Sequence, residues 1–509
     1  MAEQVQAQSA RQQPSTRGAL GERRLGTIHA VAQALAIGPM FSTALVLGGT
    51  SNPATGAGFN AALSVLIAGL GVLAIAYALS LFARRYAGAG AVYEYLTHGA
   101  HPAVGVFTAG LFFVGTLFLG GGGIYLGLGI LSHDFWSAHI SHSAPAWWIF
   151  ALIAVAIALV LNYLGVRIAI RAMLTFAAIS FVPMVILALV IIGKGGDSGN
   201  SLTAFSPGTT SVGTVFSGVL LGILLFVGFE AAASIGEESH DPYRSIPRGL
   251  LSTVAVSAVF FVVMAYALSI GYGRSAVTAG KWAGDPAYLD TMATRYIGSW
   301  YATIIDIIVI LDAMGLALAI CVTIGRGYFA LGRDGLLPRV FAKTSRYDTP
   351  WVGNLMVIVG CVGLIIVSAT GWMDRFVPIF GTKSFSAFIV SATAGSFAIE
   401  FVYLILAVAA IGLLLRTGGK PWQYVVVLVA IAMPILGFKG ALGPGPHTTA
   451  NYNWLAFYWA LAVVVLSAIW FGVMQLWKPE RIRNAAAHAS HHEGVAPLDE
   501  TLGLAPLPD

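Results

Sequence analysis

The sequence predicts an all-α integral membrane protein with twelve transmembrane helices, and composition, segment length and placement of positive charge predict it together. Of the 509 residues, 57% are hydrophobic and 10% are charged, against about 25% charged in an ordinary soluble domain. So few charges cannot coat a soluble body of this size, whereas lipid requires no polar coat. Sixty glycines fit the same class, because membrane helices pack through small residues.

A spanning helix needs about 20 apolar residues to cross a hydrocarbon core about 30 Å thick. Twelve segments qualify, near residues 26–50, 60–83, 103–131, 146–164, 172–193, 212–237, 250–272, 298–328, 351–371, 384–414, 422–438 and 453–477. With a cytoplasmic N-terminus, 20 of the 27 Lys and Arg fall in inside segments and 7 in outside loops. That bias orients membrane proteins, so both termini are expected in the cytoplasm and the chain in the inner membrane. Residues 1–22 are polar, with no short apolar stretch and cleavage site, and are expected to be a disordered arm. Residues 23–414 form the core, as two repeats over 23–195 and 210–414, and helices 11 and 12 follow over 415–478. Residues 479–509, rich in Ala, His and Pro, are expected to be a disordered cytoplasmic tail.

Several function classes drop out. The net charge of +5 comes without a basic cluster interleaved with aromatics, so no nucleic-acid partner is expected. Cys321 and Cys361 lie in apolar runs without metal spacing and read as packing thiols. His133, Asp134, His139 and His142 read as a solvated outer loop, and His488, His491 and His492 as a solvated tail, so no metal site is expected. No HExxH, GxSxG or Walker sequence is present, which argues against a membrane enzyme or an ATP-driven pump. No cofactor is called for.

Two helices are broken at mid-membrane. Helix 1 contains Ile37-Gly38-Pro39-Met40-Phe41, and helix 6 contains Phe226-Val227-Gly228-Phe229-Glu230. Proline removes a donor and glycine loosens the backbone, and such a break survives in lipid only where it lines a cavity or is buried in protein. Each break opens a block of five helices. Because five is odd, the second block enters from the opposite side, which makes an inverted repeat with the two breaks meeting near the bilayer midplane. Half-helix N-termini there favour a carboxylate, and free carbonyls accept from an ammonium group.

Four acids interrupt apolar helices: Glu230, Asp306, Asp312 and Glu400. Each costs about 3 kcal/mol or more at membrane centre and needs a partner or a proton. No Lys or Arg stands at matching depth, so protons, a cation or a substrate amine must neutralise them. Helix 3 carries Gly120-Gly121-Gly122-Gly123, which permits close approach of a substrate or of another helix.

The stretch Phe226–Leu250 resembles the amino acid–polyamine–organocation permease family in Phe226, Gly228, Phe229 and Glu230, in Gly236-Glu237-Glu238, in Asp241-Pro242 and in Ile246-Pro247-Arg248. Arg85–Tyr95 resembles that family's loop between helices 2 and 3, with Tyr86 and Ala89 in place of its usual proline and glycine. Gly332–Pro338 resembles its end of helix 8. The resemblance implies a LeuT-type fold and secondary transport of an amino acid or amine by alternating access. It implies a substrate site of Ile37, Gly38, Met40 and Phe41 facing Phe226, Gly228, Phe229 and Glu230, with an aromatic ring as gate. Asp312, Gly121, Gly122 and Ser180 are the further pocket or coupling candidates. Ser180 stands where some proton-coupled members carry a lysine, so proton coupling through helix 5 is not expected, while exchange, sodium coupling and protonation of Glu230 or Asp312 stay open. Arg85, Glu237, Arg248 and Arg333 are expected to form a cytoplasmic gate of ion pairs. A channel and a non-transporting sensor are the competing readings, as is a carrier of polyamines or ethanolamine.

Overall fold

A computed structural model describes residues 20, 25–197, 199–207, 212–372, 385–443 and 452–489. The arm before residue 20, His491 and His492 of the tail, and Arg375 and Lys383 lie outside the described residues. Among the described residues, twelve helices are long and apolar enough to cross a membrane. Helices 1 to 5 run over Thr27–Leu45, Gly58–Ala83, Pro102–His139, Trp147–Leu164 and Val166–Gly193. Helices 6 to 10 run over Val212–Ile235, Pro242–Tyr272, Ser299–Arg333, Trp351–Ala369 and Phe385–Thr417, and helices 11 and 12 over Pro421–Ala441 and Asn453–Trp477. An even number of spans returns the chain to its starting side, called here the terminal face.

The architecture is the 5+5 inverted repeat. Each half opens on an interrupted helix, and each carries a short helix between its second and third spans, Val92–Gly99 in the first and Tyr288–Tyr296 in the second. The inversion puts these two short helices on opposite faces. Helix 7 begins at Pro242 and helix 8 runs on to Arg333, each beyond its apolar run, because the ends facing protein and water need no hydrophobic side chains. Helix 3 likewise extends to His139. His133, Asp134 and His139 therefore lie on a helix end rather than in a loop, and His139 pairs with Asp306 at 3.0 Å. Pro479–Ala489, expected within the disordered tail, is helical, and Arg481 ties it down by donating to the Gly335 carbonyl.

Helices 1, 2, 6 and 8 are the most enclosed, while helices 4, 5, 11 and 12 turn most of their surface outward to lipid. Small residues let the enclosed helices touch. Gly325 of helix 8 and Gly353 of helix 9 meet backbone to backbone. A methyl added at Gly353 would overlap the Gly325 carbonyl, which has no rotamer to retreat into. Gly353→Ala is expected to cost about 1–3 kcal/mol, read as a lowered thermal midpoint of the detergent-purified protein; an unchanged midpoint would refute this contact.

Candidate functional site

Both breaks are present. Helix 1 runs as α-helix over Thr27–Ala34, tightens into a 3-10 turn over Leu35–Ile37 and restarts at Pro39. Gly38 joins the pieces at φ 56°, ψ 68°, a left-handed conformation that favours glycine, and a Cβ there would meet Leu316 at 2.7 Å. In helix 6, Gly228 sits at φ 119° and a 3-10 stretch over Phe229–Ile235 follows.

The amides freed by these breaks are occupied by the chain's own carboxylates. The amides of Met40 and Phe41 donate to one oxygen of Asp312, at 2.9 and 3.0 Å. Ser42 N–H donates to the Gly38 carbonyl at 2.8 Å, and its hydroxyl to the Ile37 carbonyl at 2.9 Å. In helix 6, Glu230 Oε2 accepts from Gly228 N–H at 3.1 Å and from the Tyr403 hydroxyl at 2.8 Å. Asp312 and Glu230 are both buried. An anion at a half-helix N-terminus is where the helix dipole stabilises it. The open polar cradle expected at the breaks is thus filled in this conformation, because an amide left bare in hydrocarbon costs several kcal/mol.

Beside the breaks lies a small cavity of about 20 Å³ whose lining includes Ile37, Phe41, Ser42, Ile124, Leu224, Val227, Leu316 and Phe388. Its walls are mostly apolar. A larger cavity of about 170 Å³ sits towards the face opposite the termini, lined by the end of helix 1, the stretch before Tyr288 and the start of helix 10. Val46 borders both cavities. There the Tyr288 hydroxyl donates to the Thr43 carbonyl and accepts from Gly48 N–H.

The terminal face is closed. Leu25 N–H donates to the Glu238 carbonyl at 3.0 Å and His240 N–H to the Leu25 carbonyl at 2.8 Å, clasping the start of helix 1 to the helix 6–7 connection. Arg326 grips Glu238 with two hydrogen bonds of 2.7 and 3.0 Å, both side chains buried. Arg333 donates to Glu237 at 2.9 Å and to Glu94 of the short helix at 3.1 Å. Tyr93 donates to Asp334 at 2.6 Å.

A model of the amino acid permease family matches residues 31–485. The chain belongs to the amino acid permease family. The permease is 25% identical to the branched-chain amino acid permease BcaP of Bacillus subtilis over 36% of this chain and 38% of the relative. It is 29% identical to the methylthioribose transporter of the same species, over 36% and 38% of the two chains. It is 23% identical to the low-affinity putrescine importer PlaP of Escherichia coli, over 59% and 65%. Each match covers less than two thirds of the relative. The manganese transporter of Eremococcus coleocola shares the fold, with a TM-score of 0.50 at 12% identity over 93% of this chain and 99% of that one.

The residues singled out in the permease sequence fall into three groups. Ile37 and Phe41 line the small cavity, with Phe41 edge-on to Phe388 at 6.0 Å between ring centres. Gly38, Met40, Gly228, Glu230 and Asp312 build the broken backbone behind it. Phe226 packs edge-on against Phe261 of helix 7, and Phe229 lies 5.7 Å from the Tyr403 ring. Ser180 spends its hydroxyl on the Ile308 carbonyl of helix 8, at 2.9 Å. Gly121 lies in a π-helical stretch over Phe118–Tyr125. Gly122 packs on Ser391 of helix 10, while its neighbour Gly123 faces the cavity, so this glycine run serves both helix packing and the site.

Of the expected gate, Arg333 and Glu237 are joined. Arg85 and Arg248 make no ion pair among the described residues: Arg248 points outward from the first turns of helix 7, where water solvates it better than a partner would. Glu238, which stands in the same motif as Glu237, pairs with Arg326, and Arg326 and Glu94 are the members of this closure that the sequence reading did not single out. The collision a Cβ at Gly88 would make with the Glu94 carboxylate shows what the small residues before that short helix are for.

Burial raises the Glu94 carboxyl to about 8, against the pull of Arg333 and with the push of Glu237 and Asp334. Opening would expose Glu94 and return it towards the ordinary carboxylate range. The closed state therefore binds an extra proton: closure gains stability from Glu94 fully below the ordinary value and loses it as pH rises through about 8. Relative to a free alkyl thiol at the same pH, which corrects for the growing thiolate fraction, a Ser234→Cys variant should label faster with an impermeant thiol reagent from the terminal face as pH rises from 6 to 9, and adding Glu94→Gln should flatten that relative profile. A flat profile with Glu94 intact would refute the assignment.

Proposed function

We propose that this permease is a secondary active transporter that carries amino acids across the cytoplasmic membrane by alternating access, coupled to a cation or running as an exchanger. Both termini are cytoplasmic in this reading, consistent with the positive charge concentrated on that face. The observation that carries it is the pair of broken helices meeting beside a small cavity, closed by ion pairs on the terminal face and adjoined by a larger cavity on the other. One site sealed from one side is what a half-cycle of alternating access requires. The apolar lining suits a compact aliphatic side chain, in keeping with the branched-chain permease among the relatives. The acids Asp312 and Glu230 supply acceptors for the ammonium end.

A second reading has its own support. Asp312 already fills the amides of Met40 and Phe41, where a substrate carboxylate would otherwise dock. An amine without a carboxylate, as in the putrescine importer among the relatives, meets no such competitor. Uptake competition separates the two. Purified protein in liposomes should show saturable uptake and counterflow of labelled L-leucine, suppressed by neutral aliphatic amino acids more than by putrescine. The reverse order would establish the amine reading, and ohmic flux without counterflow would mean a channel.

Glu230→Gln should lower uptake by about tenfold or more, the scale of losing charged hydrogen bonds of roughly 1.5–3 kcal/mol, while the variant still elutes as a folded protein. Full activity in it would remove Glu230 from the site.

A further inference from the structure

Helix 10 carries a polar stripe of which the breaks and the gate use only Tyr403. Thr393, Ser396, Glu400 and Tyr403 follow one another at spacings of three, four and three residues, which places them on one face of the helix. The opposite face, with Ser391 and Ala398, packs on glycines of helix 3. Thr393, Ser396 and Glu400 are fully buried. Neither oxygen of Glu400, nor the hydroxyl of Thr393 or Ser396, has a hydrogen-bond partner among the described residues. Thr108, Thr253 and Ser269 share this lack of a hydroxyl partner, but Glu400 is the one acid among the described residues with both oxygens buried and unpartnered.

Glu400 faces Gly437 of helix 11, where an added Cβ would lie 3.3 Å from its oxygen and 3.4 Å from Ile223 of helix 6. The elements packed on helix 10 bring it no cation. Lys439 of helix 11 is exposed and lies two residues past Gly437, hence on the far side of its helix. Tyr424 of helix 11 and Tyr77 of helix 2 lie far along their helices towards the terminal face, and Tyr77 is engaged with Gln423. The remaining titratable neighbours are Tyr403 one turn on and Glu230 of helix 6, which Tyr403 joins at 2.8 Å.

An ionised carboxylate in hydrocarbon with no donor and no counter-charge is far too costly to persist. A single metal cation does not answer the need. Thr393 and Glu400 are about 10 Å apart along the helix, while ion ligands sit about 2–3 Å away. Helix 10 is also unbroken over Phe385–Thr417, so its carbonyls are taken. A proton requires only the carboxyl itself.

We propose that Glu400 is a proton-binding site of the transport cycle, filled from the face opposite the termini past Ser396 and Thr393, and linked to Glu230 through Tyr403. The start of helix 10 borders both cavities, through Phe385 and Ile389 and then through Phe388 and Ala392; Thr393 is the next residue. The proton that Glu400 takes up from water on that face is released to water on the terminal face once that face opens, so each cycle carries it across. Tyr403, whose hydroxyl bonds Glu230, is the group through which loading Glu400 changes the charge balance at the substrate site. The coupling role rests on the transport reading above; the proton site itself does not.

Infrared spectra of the purified full chain, taken in water and in heavy water, give the first test. The wild type should show a protonated-carboxyl carbonyl band that Glu400→Gln lacks while eluting as a folded protein; an identical band in both would overturn the proposal. The second test is uptake of labelled L-leucine into liposomes with and without an inward proton gradient. The gradient should accelerate wild-type uptake, and in Glu400→Gln and Tyr403→Phe the ratio of the two rates should fall to unity. A gradient response retained in Glu400→Gln would overturn the coupling role. A wild type without saturable uptake of any amino acid or amine would instead sink the transport reading, with the infrared result still deciding the proton site.

Discussion

Two buried carboxylates hold the centre of this molecule open. A membrane helix can be interrupted only if the freed backbone groups find partners, and here Asp312 takes the amides of Met40 and Phe41 while Glu230 takes that of Gly228. The same two contacts make the acids tolerable, since each carboxyl accepts backbone donors at the positive end of a helical segment. Remove the acids and the breaks lose their partners; close the breaks and the acids lose theirs. The small cavity lies beside both contacts, and helix 8, which supplies Asp312, is tied to helix 1 through the first of them.

The inverted repeat extends that logic to the two faces. Its equivalent short helices do equivalent work on opposite sides: the first brings Glu94 to Arg333 at the terminal face, and the second brings Tyr288 to the end of helix 1 at the other. The terminal face is held by charge-assisted bonds, of which Arg326–Glu238 is fully enclosed. Breaking such a pair by removing one partner costs about 3–5 kcal/mol, whereas separating both into water returns their hydration. That difference suits a contact that must be firm when closed and still able to open.

The fold was legible because its signals are local. Segment length, the odd number of helices in the block that Gly38 opens, and the asymmetry of Lys and Arg need no knowledge of contacts. Gly38 and Gly228 were readable as breaks because, in lipid, a glycine beside a proline or a buried acid weakens a helix that nothing else there would interrupt. What filled the breaks was not legible, since Asp312 lies 272 residues from Met40 and no spacing rule links them. The gate was half legible for the same reason. Arg333 and Glu237 stand in recognisable motifs, but choosing Glu94 over Arg85 and Arg248 as their companion depends on how a short helix docks. Ser180 was a positional expectation from the family resemblance, and its hydroxyl turned out to serve the contact between helices 5 and 8. The helical start of the tail escaped notice because its tie to the Gly335 carbonyl is a tertiary contact.

The most direct test is an experimental structure with a transported solute bound. It should place the solute between the breaks of helices 1 and 6, against Phe41 and within hydrogen-bond reach of Glu230 or Asp312, with Gly38 and Gly228 still outside helical geometry. A solute lodged elsewhere, with both stretches wound into continuous helix, would contradict the account.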